Sequence, residues 1–131
     1  MVKIEKNSFK VAPNITKEQL IKYGFHYHYP DKYIYRVPCY KYRNRQPLIF
    51  LEFTVVSDNN SNKDKIENPV MLVNCKDKND NFYAPFYGEY FNKNEVLNKV
   101  NRKLSLVVAD MVNKQIMVTK EMKNRRRNIY Y

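Results

Sequence analysis

The sequence predicts an α+β fold: an antiparallel sheet of four or five strands, with a short N-terminal helix and a long C-terminal helix packed on one face. Three observations carry this. Residues 26–56 are rich in Tyr, Ile, Val and Phe and contain three prolines, which favours strands and forbids a helix. Residues 93–112 instead repeat their apolar side chains at helical spacing. Finally, Ile49, Leu51, Phe53 and Val55 recur at a period of two, giving a strand face on which the helix stripe can be buried.

In chain order, the first element is a short strand, over Val2–Glu5 or Phe9–Val11. Thr16 then opens a helix over 16–23. Thr16 and Gln19 have capping-box spacing, in which each side chain satisfies a backbone N–H that the helix leaves unpaired. Ile15 and Leu20 stand at the two positions of a hydrophobic staple. Gly24 supplies the stop, since glycine enters the left-handed region without a Cβ clash.

Residues 26–42 read as extended, with Pro38 marking an edge strand or a bulge. Strict alternation puts Tyr33, Tyr35, Val37 and Cys39 on one face and Ile34, Arg36, Tyr40 and Tyr42 on the other. The run Leu48–Val56 forms the partner strand, with Glu52 and Thr54 on the face away from the core. Residues 43–47 (RNRQP) make the hairpin loop between them and carry Arg43 and Arg45 at the tip.

A polar loop spans 57–69. Val70–Cys75 is a strand, Lys76–Asn81 a turn, and Phe82–Tyr87 a further extended piece. The long helix follows, capped by Asn92 or Asn94. Val96, Leu97, Val100, Leu104, Val107, Val108 and Met111 form its apolar stripe, while Lys99, Arg102, Lys103 and Asp110 belong to its solvated side. Residues 115–119 fit either a helical extension or a last strand. The 131 residues suit one domain, with 120–131 a basic C-terminal tail.

Charge directs the functional reading. The formal net charge is +11. Scattered lysines are ordinary solubilising residues, and the Lys, Asn, Ile and Tyr content fits AT-rich coding. The arginines are different: five of the seven lie in 43–45 and 125–127. Residues 32–45 (KYIYRVPCYKYRNR) interleave tyrosines with cations and contain no acid. Such clusters attract polyanions. Arg36, Tyr40, Lys41, Tyr42, Arg43, Arg45, Arg102, Arg125, Arg126 and Arg127 are therefore the candidate binding residues, with aromatics to stack on bases and guanidinium groups to hold phosphates.

Several classes are disfavoured. Two glycines argue against Gly-rich phosphate loops, and no nucleotide-binding fingerprint is present. His26 and His28 share a strand face but lack further ligands at zinc-finger spacing, so no metal or cofactor is expected. A metal-dependent nuclease would continue Pro30-Asp31 with an acidic-x-Lys triplet, where this chain has Glu52-Phe53-Thr54. No acid–base or nucleophile–base arrangement is visible, which predicts a non-enzymatic protein. The start lacks a signal-peptide core and no apolar run reaches membrane-spanning length, so a cytoplasmic protein is expected, with Cys39 and Cys75 reduced. The expected partner is nucleic acid or another polyanion. The alternative is an inhibitor docking on an acidic site of a host enzyme, and the composition suits a phage or other mobile element.

Overall fold

The computed structural model describes residues 9–41, 47–57, 65–66, 69–88 and 95–119. Its elements in order are β1 (Phe9–Val11), α1 (Lys17–Tyr23), β2 (His26–His28), β3 (Lys32–Lys41), β4 (Pro47–Val56), β5 (Val70–Asp77), α2 (Ala84–Tyr87), α3 (Glu95–Asn113) and β6 (Met117–Thr119). Strands β2-β3-β4-β5 form a four-stranded antiparallel sheet, and β1 pairs with β6 in a separate two-stranded ribbon.

The alternating pattern in β4 works as the sequence implies. Ile49, Leu51, Phe53 and Val55 are buried on the inner face. Their cross-strand neighbours are Val37, Tyr35 and Tyr33 on β3 and Cys75, Val73 and Met71 on β5. Helix α3 lays Val100, Leu104, Val107 and Met111 into the same core, with Val96, Leu97 and Val108 at its margins. Residues 115–119 resolve into a turn and strand β6. Gln115 takes a left-handed φ of 63°, Ile116 N–H bonds Met111 O, and Gln115 N–H bonds Val112 O. This is the hydrogen-bond pattern of a Schellman stop, and it releases the chain to pair with β1.

Helix α1 has the predicted capping box: Thr16 N–H donates to Gln19 Oε1 at 2.9 Å, and Gln19 N–H donates to Thr16 Oγ1 at 3.1 Å. Ile15 and Leu20 are both buried. Gly24 ends the helix at φ 132°, and a Cβ there would stand 2.9 Å from Tyr35 Cε1. The stop residue is thus glycine for space as well as for conformation.

Four expectations change. Residues 26–42 are not one extended piece: a turn at Tyr29–Asp31, with a cis Tyr29–Pro30 bond, folds β2 back on β3. Residues 84–87 form a helical turn rather than a strand, because Pro85 pre-sets helical φ at its start; just before it, Phe82 bridges to Lys76 on β5 and Tyr83 N–H bonds Cys75 O. Ile66, in a stretch of sequence that is otherwise polar, is buried and its N–H bonds Ile15 O, so this apolar residue joins the core. Asp110 is not simply solvated: it accepts a 2.7 Å hydrogen bond from Tyr23 Oη, tying α1 to α3. Burial and the adjoining carboxylate push the Tyr23 hydroxyl pKa well up, so it stays a donor at any ordinary pH.

Candidate functional site

The residues that the sequence groups into one patch fall on two faces of the sheet. Arg36 lies on the outer face. Its guanidinium sits 4.0 Å from the centroid of the Phe50 ring and 3.9 Å from Glu52 Oε2. Glu52, opposite Arg36 on β4, is only 9% exposed, and its other oxygen pairs with Lys76 Nζ at 3.2 Å. Lys76 in turn reaches Asp80 at 3.6 Å and lies over the Phe82 ring. A nearly buried carboxylate thus sits between two cations, each resting on an aromatic ring. Partial neutralisation by Glu52 makes Arg36 first a structural partner of this row.

Tyr40 is on the inner face, not beside Arg36. The β3–β4 register runs Pro38 to Phe50 and then Tyr40 to Ile49, which leaves Cys39 as the extra residue of a β-bulge. A bulge shifts the alternation by one. Tyr40 consequently joins buried Ile49 and packs at the margin of the core, where Lys99 Nζ of α3 stands 5.4 Å from its ring centroid. Pro38 does mark an irregularity, and the new direction of Tyr40 follows from it.

This contact brings the basic hairpin end to the basic side of α3. Lys99, Arg102 and Lys103 stand at i, i+3 and i+4, so they neighbour one another on the helix surface. Lys41 is exposed at the end of β3. Helix α3 carries no acid from Val96 to Ala109. Glu95 bounds this stretch at one end, and Asp110, held by Tyr23 and by Lys114 at 3.6 Å, bounds it at the other. Among the described residues, then, the candidate site is Tyr40, Lys99, Arg102 and Lys103, with Lys41 next to Tyr40 in the chain. Tyr42, Arg43, Arg45, Arg125, Arg126 and Arg127 lie outside the described residues, as do Asn92 and Asn94.

The sequence alone does not single out Lys99 and Lys103 as binding residues. Their spacing on an acid-free helix face is the available signal; that Tyr40 meets them needs the bulge. Cys39, the bulge residue, is half-buried beside them. Burial pushes its thiol up to about 11, against weaker lowering by the Leu51 N–H and the Lys103 charge. No disulfide links Cys39 and Cys75.

Elsewhere, His26 and His28 are exposed on the outer face. Among the described residues no three His, Cys, Asp or Glu side chains cluster as metal ligands would, and no described helix is long and apolar enough to cross a membrane. An open groove of ≈ 620 Å³ runs between β1, Lys65–Ile66 and the start of β5, with Lys10 and Lys65 on its walls.

No family model matches this chain, and no curated protein matches it. A solved structure is similar: the crystal structure of a DUF1831 family protein from Lactobacillus plantarum, with a TM-score of 0.62 at 16% identity over 91% of this chain and 94% of that one. At that identity the likeness is one of fold, and a fold alone does not assign a function.

Proposed function

We propose that this is a non-enzymatic nucleic-acid-binding protein of the cytoplasm, whose interface is the hairpin end together with the outward side of α3. The observation that carries the reading is the seating of Lys99 over Tyr40, which joins the basic run of 32–45 to the acid-free face with Arg102 and Lys103. Lys41, Lys99, Arg102 and Lys103 have no acidic partner among the described residues, so their charge is available to phosphates, unlike that of Arg36. Arg43 and Arg45 follow Lys41 in the chain and add to the same charge run.

The test is the salt dependence of binding to fluorescent oligonucleotides. Log affinity should fall linearly with log salt, and replacing Lys99 and Lys103 together by Ala should lower that slope by about 2, near one per phosphate contact. Absence of salt-dependent binding to DNA and RNA alike would refute the reading.

A second reading has one observation in its favour. Among the described residues, α1, α2 and α3 contribute Leu20, Phe86 and the stripe Val100, Leu104, Val107 and Met111 to the core, while Val70 and Leu72 on the outer face of the sheet are about half exposed. A protein partner would dock on that apolar face, across the sheet from the α3 cations, as the target enzyme of an inhibitor would. A host protein retained in a nuclease-treated pull-down, without nucleic-acid affinity, would select this reading.

A further inference from the structure

Helix α3 has a definite crest. At about 100° per residue, buried Val100, Leu104, Val107 and Met111 fall within an arc of roughly 60°. Arg102 stands about 170° from the middle of that arc, at the point of α3 farthest from the sheet. Asn98, Leu106 and Ala109 lie within about 40° of Arg102, and all are exposed. One shoulder of the crest is basic, with Lys99 and Lys103; the other is neutral and polar, with Asn101 and Ser105.

We propose that α3 enters the major groove of double-stranded DNA with Arg102 directed at guanine. This rests on the nucleic-acid reading above and names its substrate. A helix of about 10–12 Å diameter fits a B-form major groove of about 12 Å width, whereas the A-form groove of RNA is too narrow for it. Arginine on the crest presents a planar fork that matches O6 and N7 of guanine. Asn98, one turn back, is of the residue type that pairs bidentately with adenine. Leu106 is 62% exposed on the same crest, where an aliphatic side chain meets a thymine methyl group. Lys99 and Lys103 on the shoulder face the flanking phosphates. The charge pattern is complementary over the length required: the acid-free stretch 96–109 spans about 20 Å of helix.

The experiment uses the full chain and three probes at one salt concentration: a short G·C-rich DNA duplex, its separated strands, and the same duplex built with 7-deazaguanine. The modified base lacks the N7 acceptor and leaves backbone charge and pairing unchanged. The intact duplex should bind more tightly than either strand. Substitution by 7-deazaguanine removes one of the fork's two acceptors and should weaken binding several-fold, up to the about 150-fold of a complete bidentate arginine–guanine contact. Arg102→Lys keeps the charge and removes the fork; it should lose affinity for the ordinary duplex and lose little more on the modified one. Arg102 is exposed, so the variant folds, and its circular dichroism verifies this. Equal or tighter binding to single strands, or indifference to 7-deazaguanine, would overturn the groove assignment while leaving the nucleic-acid reading in place. No binding to any of the three probes, nor to single-stranded RNA, would remove both.

Discussion

Leu104 and Leu106 lie two residues apart on α3 and test the orientation of the helix that both proposals depend on. Leu104 is 3% exposed in the core and Leu106 is 62% exposed. Leu104→Ala removes three carbons, each worth about 0.8 kcal/mol of transfer free energy, and adds the cost of an incompletely collapsed cavity. The total should be about 2–5 kcal/mol. For 131 residues the unfolding entropy is about 0.28 kcal/mol/K, so a loss of about 3 kcal/mol should lower Tm by about 11 °C. Leu106→Ala removes the same atoms from solvent and should change stability by no more than about 0.5 kcal/mol. Urea denaturation followed by circular dichroism measures both. Equal losses from the two substitutions, or a larger loss from Leu106→Ala, would show that α3 presents a different face to the sheet, and the crest at Arg102 would go with it.

Glu52→Gln keeps the volume and removes the charge between Lys76 and Arg36. It should cost about 1–3 kcal/mol in denaturant unfolding, because two cations lose their compensation in a nearly buried row; an unchanged midpoint would show the row to be energetically idle. Gly24→Ala forces a non-glycine residue to φ 132° and sets its Cβ against the Tyr35 ring, so a loss of about 1–3 kcal/mol or more is expected, and stability within error of the parent would contradict this account of the helix stop. The Cys39 thiol ionises near pH 11 in the folded chain, above its value in the unfolded chain. Since the folded state holds that proton longer, the contribution is fully present below about pH 9 and is lost as pH rises toward about 11. Thermal melts between those pH values should fall less steeply for Cys39→Ala than for the parent, and identical slopes would place the thiol in water.

Much of the architecture was legible because it depends on short-range rules. The capping box at Thr16 and Gln19, the stop at Gly24, the period-two face of β4 and the apolar stripe of α3 each follow from local hydrogen bonding and side-chain direction. The clustering of positive charge was equally a property of the chain. Which cations stand together was not, because that depends on register and on contacts between distant elements. A single extra residue at Cys39 turned Tyr40 from the Arg36 face to the α3 face, and no period-two count contains that information. Glu52 drew Arg36 and Lys76 as partners only because β3 and β5 flank β4 on either side, which leaves Arg36 compensated. Lys99 and Lys103 joined the candidate site for the converse reason: packing α3 on the sheet carried its basic shoulder to the hairpin end. The sequence by itself therefore determined the main elements, α1, β4 and α3, and the sign of the charge. The tertiary structure decided which charges remain open to a partner, since pairing across strands is set by alignment in space and not by proximity along the chain.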